Sequence, residues 1–249
     1  MALTIAVSGK GGSGKTTLSA MIIRHLMERA GRGVLAVDAD PNACLGLALG
    51  VQAEKTVADL REETLGGKLP GADTDRERAF ELAIHHALAE AKGFDLLVMG
   101  QPEGPKCYCA VNHNLRQVID AISKNYGYVV IDNEAGMEHL SRRTTRDVDH
   151  LIIVSDPSYR GLVAAGRIAG FCNELDIQIK NAFLVLNRLT GEVPAPIQSQ
   201  VQALGIPLLG IVPADSELAD LESNGSPVIA LGDESNVYRA IATWMEKIV

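Results

Sequence analysis

The chain has 249 residues, with 31 acidic and 23 basic side chains, a formal net charge of -8 and four cysteines. Four cysteines are too few for a disulfide-rich scaffold, and 47% hydrophobic residues are too many for a disordered chain. No run approaches the ~18 apolar residues of a membrane span, and the acidic balance argues against a nucleic-acid coat. We therefore expect one cytoplasmic domain over residues 1–249 that binds neither membrane nor nucleic acid.

Short apolar runs alternate with helical patterns along the chain. Strands are predicted at Thr4–Ser8, Val34–Asp38, Phe94–Met99, Tyr128–Asp132, Leu151–Ser155, Phe183–Leu186 and Leu208–Val212. Helices are predicted at Thr16–Arg29, Arg76–Lys92, Leu115–Asn125, Gly161–Leu175 and Pro194–Leu204. Continuous apolar strands predict an α/β fold, with a doubly wound, mainly parallel sheet of about seven strands flanked by helices. The apolar stripe of Asn236–Val249 lacks a strongly basic opposite face and predicts a helix docked on the domain.

The first predicted strand leads into a glycine-rich loop, Gly9–Thr16, with the sequence GKGGSGKT. It matches G-x-x-x-x-G-K-[ST] between a strand and a helix, where backbone N–H groups and the helix N-terminus bind phosphates. Lys15 is expected to contact the β and γ oxygens and the Thr16 hydroxyl to bind Mg²⁺. The predicted nucleotide-binding residues of this loop are Gly11, Gly12, Ser13, Gly14, Lys15, Thr16 and Thr17.

A second lysine, Lys10, makes the loop K-G-G-x-x-K-T, which resembles the deviant Walker A ATPases. That family includes nitrogenase iron protein, septum-site and plasmid-partition ATPases and arsenite-pump ATPases. The resemblance implies a P-loop ATPase that hydrolyses ATP to ADP as a homodimer. Lys10 would then act across the dimer interface as a catalytic residue together with Lys15, as an arginine finger does. The alternative for Lys10 is a solvent-exposed lysine.

The second strand ends at Asp38 and is followed by Asp40-Pro41. The resemblance implies that this is switch I and that Asp40 is catalytic, because it orients or activates the attacking water. Asp38 has two open interpretations, a direct role or a carboxylate that accepts backbone N–H bonds. Where nitrogenase-like proteins have a further aspartate, this chain has Cys44, which departs from that family's pattern.

Tyr128–Asp132 has the pattern of a Walker B strand, and Asp132 is expected to hold Mg²⁺ together with Thr16. Glu134 and Gly136 follow as the predicted switch II. Glu134 is either a base or solvent-facing. Gly136 would let the backbone approach the γ-phosphate.

Two later strand ends are expected to bind the base, since open α/β sheets bind ligands at the carboxyl ends of their strands. The candidate residues are Asn187, Arg188, Pro213 and Asp215. An Asn side chain offers a donor and an acceptor that match adenine N6 and N7. The alternative is turn chemistry, which Asn, Pro and Asp all favour.

Residues 101–113 form a loop rich in Pro and Gly that carries Cys107 and Cys109. Two thiolates so spaced can bind one Zn²⁺ or Ni²⁺, but a closed tetrahedral site needs four ligands. A two-fold dimer would supply the other two and give an intersubunit site of four cysteines. The alternatives are two small residues at a helix start, and His113 as a further ligand or a solvated side chain.

The sequence of this loop narrows the resemblance to one group within the deviant Walker A ATPases. P-E-G-P-x-C-Y-C-x-V-N-H, together with D-N-E-A-G-M-E-H-L-S-R-R from Asp132 to Arg143, resembles the CooC-type accessory ATPases of carbon monoxide dehydrogenase. The resemblance implies an ATP-dependent metallochaperone that assists nickel insertion into that client, with Cys107 and Cys109 as ligands. Cys44 and Cys172 are expected to be buried or half-buried thiols without a metal. Two rival functions remain, a positioning or partition switch and an iron–sulfur cluster carrier.

Overall fold

A sheet of eight strands forms the centre of the computed structural model, which describes residues 2–29, 33–65, 83–101, 108–135, 147–174 and 178–249. The strands are β1 (Leu3–Gly9), β2 (Val34–Ala39), β3 (Leu88–Ala91), β4 (Phe94–Val98), β5 (Tyr128–Asn133), β6 (Asp147–Ser155), β7 (Gln178–Leu189) and β8 (Leu208–Pro213). Their order is β3-β4-β2-β5-β1-β6-β7-β8, and every pairing from β4 to β8 is parallel. The predicted fold class is confirmed.

Helices cover both faces of this sheet. They are α1 (Lys15–Glu28), α2 (Leu45–Leu49), α3 (Val57–Leu65), α4 (Tyr108–Ile122), α5 (Tyr159–Glu174), α6 (Ala195–Ala203), α7 (Ser216–Ser223) and α8 (Asn236–Met245). Side chains alternate along β1, so Ile5 and Val7 join the core beneath α1 and α8, while Ala6 faces the core on the opposite side. Because both faces are buried, each strand must be apolar throughout, which explains the continuous apolar runs of the sequence.

One predicted helix is wrong at its C-terminal end. The interval Arg76–Lys92 was expected to be helical, but residues 83–87 are helical and Leu88–Ala91 forms β3. β3 pairs antiparallel with β4, with Leu88 opposite Leu97 and Ala91 opposite Phe94. The sequence of β3, LAEA, favours a helix locally, so the strand depends on pairing with β4 rather than on propensity. Residues 76–82 lie outside the described residues.

The predicted C-terminal helix is confirmed as α8, docked against the sheet. Its apolar stripe packs inward, and the buried members are Val237, Tyr238, Ile241, Trp244 and Met245. Ser235 caps the helix by accepting a hydrogen bond from the Val237 N–H at 3.1 Å. Among the residues that the structure describes, no helix has the length and apolar character to cross a bilayer.

Gly210 of β8 is expected to be intolerant of a side chain, because a Cβ atom there would overlap with Cδ1 of Trp244. Gly210→Ala should lower the free energy of unfolding by about 1–3 kcal/mol through overpacking. Urea denaturation followed by the fluorescence of Trp244, the single tryptophan, measures this. The matched control is Gly170→Ala in α5, where a Cβ atom meets nothing within 4 Å. Gly170→Ala should raise the free energy of unfolding by about 0.5–1 kcal/mol. Equal effects of the two substitutions on the free energy of unfolding would contradict the prediction.

Candidate functional site

The candidate site lies where the carboxyl ends of three neighbouring strands meet. β1 stands between β5 and β6, and Val7 of β1 is paired with Asp132 of β5. Asp38 of β2 is paired with the same Asp132 from the other side. The glycine-rich loop, switch I and the Walker B carboxylate therefore come together at one edge of the sheet, as in other open α/β folds that bind ligands.

The glycine-rich loop depends on two glycines. Gly14 precedes α1 with a φ of 90°, and a Cβ atom there would overlap with Nδ2 of Asn187. At Gly9 a Cβ atom would overlap with the Val154 carbonyl oxygen of β6. Both positions lack space for a side chain, so the loop lies directly against β6 and β7.

The loop has the features of a phosphate-binding site. The Ser13 hydroxyl is buried, with no hydrogen-bond partner in the part of the chain that the structure describes. Lys15 is also buried, at 7% exposure, although a buried ammonium group is costly without an anion. The N-terminus of the 14-residue α1 adds backbone donors and partial positive charge. An orphaned donor, a buried cation and a helix terminus together fit a bound polyphosphate.

Thr16 and Asp132, the two predicted magnesium residues, are in contact. The Thr16 hydroxyl donates to Oδ2 of Asp132 at 2.6 Å, and the Ser19 hydroxyl donates to Oδ1 at 3.1 Å. Burial raises the pKa of Asp132 to about 6, although these hydroxyls and the Lys15 charge favour the ionised form. A hydroxyl beside a buried carboxylate is a donor set that suits Mg²⁺, so these residues fit the predicted ion.

Asp38 is fully buried and accepts two backbone hydrogen bonds from switch I. Its Oδ2 accepts from the Leu45 N–H at 2.8 Å, and its Oδ1 accepts from the Asp40 N–H at 3.2 Å. Burial raises the pKa of Asp38 to about 7, and the charge of Asp132 adds to the effect. Of the two interpretations of Asp38, the one based on backbone N–H acceptance describes the observed contacts.

The predicted catalytic residues Asp40 and Lys10 both contact groups of their own chain. Oδ1 of Asp40 accepts hydrogen bonds from the backbone and side-chain nitrogens of Asn42, both at 2.9 Å. The Lys10 ammonium lies 3.9 Å from Oδ2 of Asp156, and its side chain is 46% exposed. An exposed ion pair at that distance contributes little, so Lys10 can leave it at low cost. The catalytic roles of both residues stay predictions.

The predicted base residues line a cavity of about 200 Å³. Its lining residues are Thr17, Asn187, Arg188, Pro213, Ala214, Asp215, Leu218, Ala219 and Glu222. The Asn187 Nδ2 donates to the Ser13 carbonyl at 2.8 Å, and its Oδ1 accepts from the Arg188 N–H at 3.0 Å. An amide has a second N–H and further lone pairs, so Asn187 can brace the loop and still contact a base.

Asp215 accepts hydrogen bonds that stabilise the start of α7, which is the kind of turn role that was one of its two interpretations. Its Oδ1 caps α7 by accepting from the Leu218 N–H at 3.0 Å, and its Oδ2 accepts from the Ser235 hydroxyl at 3.1 Å. These contacts fix the wall of the cavity and agree with the turn-chemistry alternative. A direct contact between Asp215 and the nucleotide stays a prediction.

Glu222 is a cavity residue that the sequence interpretation missed. The Thr17 hydroxyl donates to its Oε1 at 2.6 Å, and the Arg188 guanidinium lies 3.7 Å from its Oε2. Glu222 belongs to no motif. No helix was predicted over Ser216–Ser223, so no spacing in the sequence placed Glu222 beside Thr17.

Several predicted site residues are only partly described. Cys107 and Gly136 lie outside the described residues, and Cys109 is described only as backbone of α4. Glu134 is half-buried and His113 is exposed. In the described ranges, no three His, Cys, Asp or Glu side chains are grouped as metal ligands would be.

The expectation for Cys44 is wrong, since its side chain is exposed rather than buried or half-buried. The turn at Asp40–Ala43 carries it to the surface next to α2, where its thiol contacts the Asn42 carbonyl at 3.6 Å. Desolvation, followed by the Asp38, Asp40 and Asp132 charges, raises the pKa of this thiol. Cys172 belongs to α5, and its side chain lies outside the description.

The raised pKa of Asp132 predicts a pH-dependent stability of the nucleotide-free protein. Folding raises this pKa from an ordinary value of 3.8 to about 6, so stability is lost as the pH rises through that interval. Asp132→Asn should therefore stabilise the protein at pH 8 by about 2–3 kcal/mol, with a smaller gain at pH 4.5. Urea denaturation at both pH values measures the difference. The exposed Asp220→Asn is the control, and destabilisation by Asp132→Asn at both pH values would contradict the prediction.

Comparisons with known proteins agree with this geometry. Residues 4–228 match the family model of the CobQ/CobB/MinD/ParA nucleotide binding domain. An uncharacterized ATP-binding protein of Methanocaldococcus jannaschii is 42% identical over 255 residues, which cover 99% of this chain and 98% of that protein. The carbon monoxide dehydrogenase accessory protein CooC of Rhodospirillum rubrum is 34% identical over 239 residues, covering 90% of this chain and 88% of that protein.

A solved structure shows the same fold. The septum site-determining protein MinD of Pyrococcus horikoshii, complexed with Mg-ADP, superposes with a TM-score of 0.72 at 24% identity and covers 100% of this chain and 96% of that one. The family match extends over most of the chain and includes β2 to β8 and all of β1 except Leu3. The chain is therefore a P-loop ATPase that belongs to the CobQ/CobB/MinD/ParA nucleotide-binding family.

Proposed function

We propose that this ATPase is a metallochaperone that dimerises around ATP and a metal ion and assists nickel insertion into the active-site cluster of carbon monoxide dehydrogenase. The observation that carries the proposal is the C-x-C block of residues 101–113, in a chain that is similar to CooC over most of its length. The proposed protein is a single cytoplasmic domain that binds neither nucleic acid nor membrane.

ATP and ADP would bind through the glycine-rich loop, with the base in the cavity beside Asn187. Mg²⁺, held by Thr16 and Asp132, would supply positive charge that neutralises the phosphates. Lys15 would bind the terminal phosphate oxygens, and Asp40 would orient the attacking water after it leaves Asn42. Lys10 would leave Asp156 and contact the nucleotide of the second subunit, where its charge stabilises the transition state.

The transported ion would be Ni²⁺ or Zn²⁺, bound by Cys107 and Cys109 of two subunits as four thiolates. The loop that carries these residues starts at the nucleotide edge of the sheet, because the Met99 N–H donates to the Asp38 carbonyl at 2.9 Å. A metal-binding loop that starts beside switch I would allow bound ATP to change the affinity for the metal. Thermodynamic linkage then requires that bound metal change the affinity for ATP by the same factor.

The alternative functions make different demands. A positioning or partition switch that acts on membranes needs an amphipathic segment with a free apolar face. In α8 that face is packed on the sheet, with Trp244 at 2% exposure, so α8 does not provide such a segment. An iron–sulfur carrier would use the same two cysteines, and visible absorbance after anaerobic purification distinguishes it from a nickel or zinc protein.

The cysteine pair gives the first test. Anaerobically purified protein with Mg-ATP should be a dimer with one Ni²⁺ or Zn²⁺, and Cys107→Ser with Cys109→Ser should lose the ion, because all four thiolates of the shared site disappear. Elemental analysis combined with light scattering measures both quantities, with and without ATP. Cys44→Ser is the matched control and should keep the ion. Unchanged metal content in the double variant would disprove the metal half of the proposal.

Lys10 gives the second test. Lys10→Ala should lower kcat for ATP hydrolysis at least tenfold and leave ADP affinity nearly unchanged, because the charge is needed only in the transition state. Lys247→Ala, at an exposed lysine of the C-terminus, is the control.

A mixing experiment tests whether Lys10 acts in trans. Lys10→Ala and Asp40→Ala should each be slow alone. In a mixed dimer, the Asp40→Ala subunit supplies Lys10 to the intact site of the other subunit, so mixing should restore turnover. Full turnover by Lys10→Ala alone, or no gain on mixing, would rule out activation in trans.

A further inference from the structure

Two consecutive residues near the end of β7 hold the glycine-rich loop from one side. Nδ2 of Asn187 donates to the Ser13 carbonyl at 2.8 Å, and Nη1 of Arg188 donates to the Gly12 carbonyl at 3.2 Å. Asn187 is buried, whereas Arg188 is exposed. Two neighbouring carbonyl groups of the loop are therefore both held by side chains of β7.

A β-bulge brings these two side chains to the loop. Leu186 of β7 is paired with Ile211 of β8, and Leu189 is paired with Pro213. Three steps along β7 thus lie opposite two steps along β8, which is the pattern of a bulge with one extra residue. Arg188 lies in this bulge with a φ of 59°, a left-handed conformation that is unfavourable for a residue with a Cβ atom. Strain of this kind is typical of residues with a functional task.

The orientation of the peptide groups decides whether the loop can bind an anion. Backbone N–H groups bind phosphates, whereas a carbonyl oxygen directed at a phosphate would repel it. The peptide group between Ser13 and Gly14 is trans, so the Gly14 N–H points away from the carbonyl that Asn187 holds. In the described part of the chain this N–H has no hydrogen-bond partner, which leaves it free for a phosphate.

The peptide group between Gly12 and Ser13 depends on Arg188. Gly12 is exposed, and a Cβ atom there would meet nothing within 4 Å, so packing does not fix this peptide group. At one end the Ser13 N–H donates to the Lys10 carbonyl at 3.2 Å, and at the other the Arg188 guanidinium holds the Gly12 carbonyl. Without the guanidinium, a single hydrogen bond would oppose rotation of the peptide group.

Glu222 of α7 orients the Arg188 side chain. Its Oε2 lies 3.7 Å from Nη2 of Arg188, and its Oε1 accepts from the Thr17 hydroxyl at 2.6 Å. The carboxylate is therefore anchored to α1 and presents its other oxygen to the side chain that holds the loop. Because both members of the Arg188–Glu222 pair are partly exposed, the pair contributes little to stability and serves mainly to direct the guanidinium.

We propose that Arg188 is a positioning residue for phosphate binding, which holds the Gly12 carbonyl away from the polyphosphate of the nucleotide. The inference goes beyond the metallochaperone function and concerns the ATPase reaction itself. Since Arg188 holds the loop before the nucleotide arrives, binding does not include the free-energy cost of ordering it. One exposed hydrogen bond limits this contribution to about two- to tenfold in affinity. A direct contact between Arg188 and the base is the competing interpretation.

The test uses Arg188→Gly. Glycine adopts the left-handed backbone of the bulge at no steric cost, so the midpoint of urea denaturation should change little. The affinities for Mg-ADP and for magnesium tripolyphosphate, which has no base, should both fall about two- to tenfold in isothermal titration calorimetry. The matched control is Arg239→Ala, which removes another exposed arginine, paired with Glu234, and should change neither affinity.

Two further measurements separate positioning from a general effect of charge. The loss of affinity should persist in about 0.5 M salt, where interactions between exposed charges are largely screened, because it arises from the conformation of the loop. In ATP hydrolysis, KM should rise by the same factor as the loss of ADP affinity. The value of kcat should stay within about twofold, because the loop binds the ground state and the transition state alike.

Three outcomes would overturn the inference. Weaker binding of ADP with unchanged binding of tripolyphosphate would assign Arg188 to the base. A loss of affinity that disappears in high salt would reduce its role to long-range charge. A lower kcat at unchanged KM would place the guanidinium in the transition state instead of in the preparation of the loop.

Discussion

Two buried carboxylates, Asp38 and Asp132, lie side by side at the ends of adjacent parallel strands. Because burying two carboxylates together is unfavourable, the surrounding elements must supply hydrogen-bond donors to both. Burial raises the pKa of both, to about 7 and about 6. Asp132 is stabilised by hydroxyls of α1, and Asp38 by backbone N–H groups of switch I. The glycine-rich loop, α1 and switch I are therefore attached to the same pair of charges. A cation at this position would relieve their repulsion, and it would thereby favour the conformation of switch I that Asp38 holds.

The sequence predicted the parts of the fold that local chemistry decides. Continuous apolar runs such as that of Tyr128–Asp132 identify strands buried on both faces, and the glycine-rich loop identifies the strand that leads into the phosphate site. β3 was not predictable, because Leu88–Ala91 prefers a helix and becomes a strand only by pairing with β4. The exposure of Cys44 was missed for a similar reason, since it depends on the path of a turn that Asp38 holds from another element.

In the candidate site, too, some contacts could be predicted from the sequence and others could not. Thr16 and Asp132 were expected to meet, and they do, because a strand ends and a helix starts at a fixed place in this topology. Glu222 was missed, since its contact with Thr17 joins residues that are far apart in sequence and no motif marks it. The side-chain position of Asp40 was equally unpredictable, because its motif specifies a carboxylate and not the Asn42 groups that it binds.

The two outer strands of the sheet restrict how copies of the chain can associate. β3 has four residues, including the exposed Glu90, and β8 ends at Pro213, which has no N–H to donate. Short, charged or proline-terminated edges oppose the addition of another strand, so a sheet continuing from one copy into the next is disfavoured. Association through the carboxyl ends of the central strands is free of this obstacle. The blunted edges thus oppose the open-ended growth of one sheet across copies of the chain, so any association of copies must use other surfaces.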